Sequence, residues 1–404
     1  MLKAIKIRLY LNDTQENYVS NLLGSCRFIY NNLLAYKIEN YNEHKYSVSF
    51  GELGKRLTQL KSEHVWLKDV HSKVLQQSII DLEGSYKNFF KNGMGFPKFK
   101  SKKNNKTSCR FPVDAIGKVK GNRINIIRPL SNIHFKCSRR DEKLLNKYQN
   151  NIKSGTLSKT KSGCYYMSIL IDLPISTNKT LPKTDKVIGL DLGIKDFVIT
   201  SDNISFENIK TIRTNQKKLS RLHKTLSRKQ NKSNNKNKTR IKLTKYHEKL
   251  TNIKDNYLHS VSNQLLNENQ VIVMEDLNVS GMMKNHNLAK SIQELSLYKF
   301  KTLLTYKSEW YKRDLIQIDR YYPSSKLCSC CGYKKTDLTL KDRTFKCPEC
   351  SVLIDRDYNA ALNIKKEGLR ILKIGLSSPE LTPLEKISVE SSKKKEQNVS
   401  SVIK

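Results

Sequence analysis

No apolar run in this sequence reaches the roughly 18 residues of a membrane-crossing helix, so no membrane partner is expected. The start, MLKAIKIRLYLNDTQ, lacks the long apolar core of a secretory leader. Acidic residues are scarce. Asp and Glu total 37 against 75 Lys and Arg in 404 residues, a formal net charge of +38. A compact fold so unbalanced repels itself unless a polyanion neutralises it, and nucleic acid rewards the excess through phosphate contacts and counterion release. No Gly-rich loop ending in Lys-Ser/Thr occurs, which excludes nucleotide hydrolysis of the P-loop kind. A disulfide scaffold is excluded too: the nine cysteines are odd in number, and Cys26, Cys109, Cys137, Cys164 and Cys330 are scattered, as suits a reducing cytoplasm. The length leaves room for two or three domains.

What is present begins with paired cysteines. Cys328 and Cys331 have C-x2-C spacing, as do Cys347 and Cys350, with 15 residues between the pairs. Thiolates at this spacing suit a tetrahedral, structural Zn²⁺ site, because each turn aims two sulfurs at one point. Cys330 lies inside the first turn, but the even spacing and the Gly332 that follows favour Cys331 as the ligand. Beyond the last cysteine, Asp355 and Asp357 stand at the start of a helical run, Ala-Ala-Leu-Asn-Ile-Lys-Lys. Acids there cap free N–H groups and suit the helix dipole, unless carboxylates elsewhere join them.

Taken in order, Lys3 to Leu11 alternates as a strand, and Asn12-Asp13-Thr14 opens a helix with Tyr18, Leu22, Cys26, Ile29 and Leu33 on one apolar face. Leu75, Ile79, Leu82, Tyr86 and Phe89 repeat the pattern, and their aromatics are expected in the core. From Gly93 the chain becomes Lys-rich, then turns to short β-like runs at 124–127, 133–137 and 165–173, a small β module which the first strand could rejoin. A polar linker covers 176–185. A strand ends at Asp191, a turn follows at Gly193, and a second strand starts at Phe197. From Arg213 to Lys245 there are 13 Lys or Arg and no acid, which favours phosphate contact over a merely solvated helical hairpin. Val271 to Met274 reads as a buried strand ending at Glu275. A helix is expected over 287–313 and a strand over 315–318.

Asp191 and Glu275 thus end strands, and Asp357 begins a helix. Carboxylates at strand ends of an α/β layer converge on one edge. Three together form a hard oxygen site for Mg²⁺ or Mn²⁺, and two such ions about 4 Å apart can activate water and stabilise the leaving oxygen of a phosphodiester. His134, His223 and His247 are isolated and receive no role.

IGLDLGIKDFVITSD (188–202), VIVMEDLNVSGM (271–282) and YPSSKLCSCCG…CPEC…DRDYNAALNI (322–364), in that order, resemble the TnpB family of insertion-sequence RNA-guided DNA nucleases, related to type V CRISPR effectors. KIRLYL, CRFIYNNLL, LQQSIIDL and FPKFKSKK extend the resemblance over about 1–370. It implies an α/β RNase H-like (RuvC) nuclease domain over 183–370, with a zinc ribbon inserted at about 321–354. It also implies a β-barrel wedge from 1–10 and 97–182, a helical recognition module over 11–96, and leaves 371–404 as a flexible tail. Asp191, Glu275 and Asp357 would be the catalytic metal-binding acids, Asp357 being preferred to Asp355 because it fits the family's D-x-N-A-A pattern. Cys328, Cys331, Cys347 and Cys350 would hold zinc; Ser351-Val352-Leu353-Ile354 departs from the Gly and His often found there. Guide RNA and double-stranded target DNA, next to a short transposon-adjacent motif, are the expected partners. Their candidate contacts are Arg213, Lys217, Lys218, Arg221, Lys224, Arg228, Lys229, Lys98 and Lys100, in a cytoplasmic, nucleoid-associated prokaryotic protein. A nuclease-inactive DNA-binding accessory or repressor, and an RNA-independent structure-specific nuclease, are the rival readings.

Overall fold

The computed structural model describes residues 1–102, 107–174, 181–339 and 342–376. Most of the expected tail, from 377, and part of the expected linker, 176–180, lie outside the described residues. The chain divides into two compact units, Met1–Thr177 with Lys232–Lys245, and Asn178–Asn231 with Tyr246–Lys404.

The first unit opens with β1 (Leu2–Tyr10) and a long helix α1 (Asp13–His44). Asn12 starts that helix with a capping box: its side chain accepts from the Gln15 N–H at 2.8 Å while Gln15 Oε1 accepts from the Asn12 N–H at 3.2 Å. Helices α2 (Phe50–Glu63) and α3 (Ser72–Asn92) follow, then β2 (Thr107–Pro112), β3 (Val119–Lys120), β4 (Arg123–Ile124), β5 (Ile133–Lys136), α4 (Arg139–Lys147), β6 (Ile152–Lys159) and β7 (Tyr165–Asp172). The strands form a seven-stranded antiparallel sheet in the order β2-β6-β7-β1-β5-β4-β3. β1 therefore does rejoin the later strands, lying between β7 and β5. Its alternate residues Ile5, Ile7 and Leu9 are buried in the same core as Leu22, Ile29 and Leu33 of α1, each such side chain contributing about 1.5–3 kcal/mol by leaving water.

The second unit begins with β8 (Val187–Asp191), β9 (Asp196–Thr200) and β10 (Ser205–Glu207), then the helices α5 (Thr211–Thr214), α6 (Gln216–Ser227) and α7 (Asn234–Glu268), whose first residues belong to the other unit. β11 (Val271–Glu275), α8 (Val279–Met282), α9 (His286–Leu295), α10 (Leu297–Tyr311) and β12 (Asp314–Ile318) lead to a small hairpin, β13 (Thr344–Lys346) with β14 (Leu353–Asp355), and to α11 (Arg356–Leu376). The helix expected over 287–313 is two helices, broken where Ser296 takes a left-handed conformation, φ 56°. QNKSNNKNKT (230–239), whose polar composition suggests a break between two basic helices, is already helical from Asn234.

Five strands lie in the order β10-β9-β8-β11-β12, with β8, β11 and β12 parallel and β9 and β10 antiparallel. Alternation along β11 sorts its two faces. Ile272 and Met274 share a core with Leu258 of α7 and Phe300 of α10, whereas Val271 and Val273 share one with Ile364 of α11. This is a sheet covered by helices on both faces.

α11 lies unusually close to the sheet. A Cβ on Gly189 of β8 would meet the Ala361 carbonyl and, at 2.7 Å, the Lys365 nitrogen; one on Gly368 would strike the Val273 side chain. The backbone of a packed helix cannot yield as a flexible side chain does. Gly189→Ala is therefore expected to cost about 1–3 kcal/mol through overpacking, read as a lower urea midpoint at unchanged slope. A midpoint equal to that of the wild type would refute so close an approach.

Candidate functional site

Parallel register brings the first two acids together. Val273 pairs with Gly189 and Met274 with Leu190. One step further, Glu275 ends β11 beside Asp191 at the end of β8. Residues in register on parallel strands point to the same face, here the face that carries α11. Asp357 lies in the first turn of that helix. The two acids at the helix start have different tasks. Asp355 Oδ1 accepts from the N–H groups of Asp357 and Tyr358, both at 3.0 Å, so Asp355 is the cap. Asp357 instead holds Arg356, whose Nε and Nη2 donate to its Oδ1 at 3.1 and 3.0 Å, and Arg343 stands 3.8 Å from its other oxygen.

Burial pushes Asp191 up to about 8, and the negative charges of Glu275 and Asp357 add to the shift, against the pull of Arg356. One carboxylate thus feels both of the others, which places the trio in one electrostatic neighbourhood. Burial also raises Glu275, opposed by a hydrogen bond from the Ser324 hydroxyl to its Oε1. Neighbouring Asp276 points elsewhere. It forms ion pairs with Lys301 at 2.8 Å and Arg320 at 2.6 Å, and is held below the usual carboxylate range chiefly by the Lys301 hydrogen bond. A cleft of about 260 Å³ lined by Glu275, Asn278, Tyr298, Lys301 and Arg320 opens beside the site.

Half-buried oxygen donors, two of which (Asp191 and Glu275) are held above the usual carboxylate range, fit a hard divalent cation. The acids are not drawn to one point, however. Among the described residues, Cys328, Cys331, Cys347 and Cys350 are the one set of three or more possible ligand atoms within 4.8 Å of one another. With Arg356 gripping Asp357, a cation binding there has to compete with the guanidinium.

The cysteine set has metal-ready geometry. Sγ–Sγ separations of 3.6 Å (Cys328–Cys350) and 3.5 Å (Cys331–Cys347) approach the roughly 3.8 Å edge implied by tetrahedral Zn–S bonds. Each turn is finished by a left-handed residue after its second cysteine, Gly332 (φ 82°) and Ser351 (φ 60°), so Ser351 adopts a conformation that glycine takes more easily. Exposed Cys330 stays outside the set.

Two asparagines one helical turn apart fasten this knuckle to α11. Asn359 and Asn363, both buried, each donate through Nδ2 to the Leu327 carbonyl at 2.7 Å. Asn363 also donates to the Ser324 carbonyl at 2.8 Å, and Asn359 Oδ1 accepts from the Ser329 N–H at 2.9 Å. Ser324 is therefore pinned through its carbonyl while its hydroxyl serves Glu275. Ser324→Ala should raise the pKa of the Glu275 carboxyl further, because it removes the hydrogen bond that opposes burial. NMR titration of the folded variant checks this, and an unchanged Glu275 value would remove Ser324 from its support. Sequence reasoning missed Ser324, Arg356, Asn359 and Asn363; asparagines inside a helix, where they are poor helix formers, were the available signal.

The basic candidates divide by environment. On α6, Lys217, Lys218, Arg221 and Lys224 are exposed opposite the buried Leu219 and Leu222; Arg228 and Lys229 follow the helix. Lys218 lies over the Tyr246 ring at 4.5 Å. Arg213 is partly committed to structure, since Nη2 donates to Ser291 Oγ at 2.7 Å. Lys98 is exposed, and Lys100 places its ammonium 3.7 Å from the Tyr30 ring centre, where burial lowers its pKa.

Three family models match the chain: a Cas12f1-like TNB domain at 298–364, a family described as "Probable transposase" at 169–286, and a helix-turn-helix domain at 1–46. A "Putative RNA-guided DNA endonuclease" of Streptomyces pristinaespiralis is 31% identical, covering 91% of this chain and 89% of the relative. The "Putative RNA-guided DNA endonuclease InsQ" of Escherichia coli (strain K12) is also 31% identical, covering 93% and 94%. The chain has the fold of Cas12f1 as seen in a Cas12f1–sgRNA–target DNA complex: TM-score 0.54 at 14% identity, covering 86% of this chain and 82% of that one.

Proposed function

The chain belongs to the TnpB family of transposon-encoded RNA-guided DNA endonucleases, and on that premise we propose that it cuts target DNA at Asp191, Glu275 and Asp357. The observation that carries this reading is the parallel register of β8 and β11, which sets Asp191 beside Glu275 on the face covered by the helix that bears Asp357. The second unit is then an RNase H-like (RuvC) nuclease domain, over 183–370, with the ribbon at about 321–354 inserted between its last strand and last helix. Segments 1–10 and 97–182 act as the wedge, and 11–96 as the recognition module. The sequence to be cut is chosen by pairing with a guide RNA beside a short adjacent motif read in the duplex.

Three carboxylates suit direct hydrolysis, for which no protein nucleophile is required. Mg²⁺ or Mn²⁺, when bound, supplies the charge that activates water and stabilises the leaving 3′ oxygen. Asp191 and Glu275 provide oxygens from rigid strand ends, with Glu275 oriented by Ser324. Arg356 neutralises Asp357 in the resting chain, so a cation taken up there has to displace the guanidinium. The four thiolates hold a structural Zn²⁺ that braces the start of α11. Lys217, Lys218, Arg221, Lys224, Arg228 and Lys98 contact phosphates, with smaller shares for Arg213, Lys229 and Lys100. No helix among the described residues is long and apolar enough to cross a membrane.

The test is to sequence the RNA that copurifies with the protein, then challenge the complex with plasmids matching that guide and carrying randomised flanks. Mg²⁺-dependent cleavage beside one enriched flank is expected. Cleavage that survives RNase treatment of the protein would point to an RNA-independent nuclease, and a matched plasmid bound but never cut would point to an inactive accessory.

A further inference from the structure

The end of α3 and the turn after it hold an aromatic surface that the nuclease reading does not use. Leu75, Ile79 and Leu82 are buried, as their spacing requires, but the helical face does not stay in the core. Tyr86 and Phe89 are half-buried and Phe90 is 75% exposed. Gly93, at φ 59°, closes the helix and lets the chain double back, with the Met94 N–H donating to the Asn88 carbonyl at 3.2 Å. That return brings Phe96 edge-on to Tyr86 (5.7 Å between centroids) and to Phe89 (5.4 Å), while Phe90 stacks over Tyr86 at 23° between planes. Beside the rings lies a cavity of about 690 Å³, also lined by Tyr41, Asn42, Tyr46 and Ser47.

Along the platform's own segment the charges are of one sign: Lys87 and Lys91 line the cavity, and residues 84–102 contain three more lysines and no acid. On the opposite wall, Glu52 is occupied by the Tyr46 hydroxyl at 2.9 Å. Glu83, which also lines the cavity, is neutralised by Lys37 at 2.6 Å. A partner must therefore be anionic and still present flat apolar faces. A second copy of this strongly basic chain meets only the apolar condition, and duplex nucleic acid keeps its bases covered. Unpaired nucleotides meet both conditions, since aromatic rings accept any base by stacking while lysines follow the backbone. Asn42 and Ser47 add hydrogen-bonding groups of the kind that meets a ribose 2′-hydroxyl.

We propose that the Tyr86–Phe89–Phe90–Phe96 platform and its lysine rim bind single-stranded RNA by stacking one or two unpaired bases. The site names where part of the RNA partner of the proposed nuclease docks, and it is tested by binding rather than cleavage, so it stands or falls apart from the catalytic assignment.

The full chain, stripped of copurified RNA, is bound to a short 4-thiouridine-containing RNA oligomer, irradiated, and the crosslinked peptide identified. Crosslinks within 84–99 are expected. Phe90→Ala with Phe96→Ala should weaken binding roughly 10-fold to 100-fold without changing the slope of affinity against salt. Lys87→Gln with Lys91→Gln should instead flatten that slope, and Phe90→Trp should retain affinity. Unchanged affinity of the double alanine variant, with its fold verified by circular dichroism, overturns the proposal, as do crosslinks confined to other segments. A single-stranded DNA of the same sequence that competes as well as the RNA overturns the assignment to RNA. A wild-type dimer that the alanine variant breaks would assign the surface to a second copy.

Discussion

Asp191→Ala is expected to abolish cleavage, to less than about 10⁻³ of the wild-type rate, while guide and target binding stay nearly unchanged. Asp191 is the acid on which burial and the charges of Glu275 and Asp357 all converge. Its removal should therefore take out the proposed shared metal ligand while leaving the exposed lysines of α6 untouched. Single-turnover cleavage beside a filter-binding titration separates the two effects, and cleavage that persists would dismiss the acids as the catalytic centre. The same carboxylate makes a second, opposite prediction for stability. Its value in the folded chain, about 8, lies above the ordinary 3.8, so the folded state holds a proton that the unfolded state has released. Metal-free stability should accordingly fall as pH rises from about 4 through about 8. Asp191→Asn should remove that slope and raise the melting temperature at neutral pH. Saturating Mg²⁺ should shrink the gap, because a cation that binds only the folded wild type stabilises it by mass action. Identical pH profiles for the two proteins would contradict the burial of Asp191.

Cys347→Ser should have the second largest effect. Cys347 is buried and its sulfur lies 3.5 Å from that of Cys331. Structural zinc sites of this type contribute about 10–16 kcal/mol of apparent binding free energy, so removing one thiolate unfolds the ribbon locally. The consequence spreads through Asn359 and Asn363, which lose their carbonyl partners and become unsatisfied buried amides, at about 1–3 kcal/mol each. Ser324, pinned by Asn363, then no longer supports Glu275. Zinc content by elemental analysis should fall, and cleavage with it, more steeply than nucleic-acid binding. A zinc-free variant that cuts at the wild-type rate would separate the ribbon from the active site.

Local pattern carried the elements whose signal is short-range. Four apolar residues before Glu275, the Gly-Leu-Asp-Leu-Gly turn, and the capping residues at Asn12 all read correctly, as did the first strand's return to a later sheet. Strands β2 and β6 were not legible, because TSCRFP ends in proline and IKSGTLSK is rich in small polar residues; each is a strand through the partner beside it rather than its own preference. The break at Ser296 carried no Gly or Pro to announce it. The sharing of tasks between Asp355 and Asp357 depends on which way each side chain turns at the helix start, which spacing does not encode. The aromatics at the end of α3 follow the core period only in part: Tyr86 still packs against the core, whereas Phe89 turns to Phe90 and Phe96 instead.

The asparagine clasp also bears on engineering. Asn359 and Asn363 span one turn of α11 and converge on a single main-chain oxygen, that of Leu327. A ribbon borrowed from a relative will seat only if its first loop offers an acceptor at that spot, however well it chelates. Domain swaps in this protein should therefore exchange the ribbon and the first two turns of the following helix as one cassette.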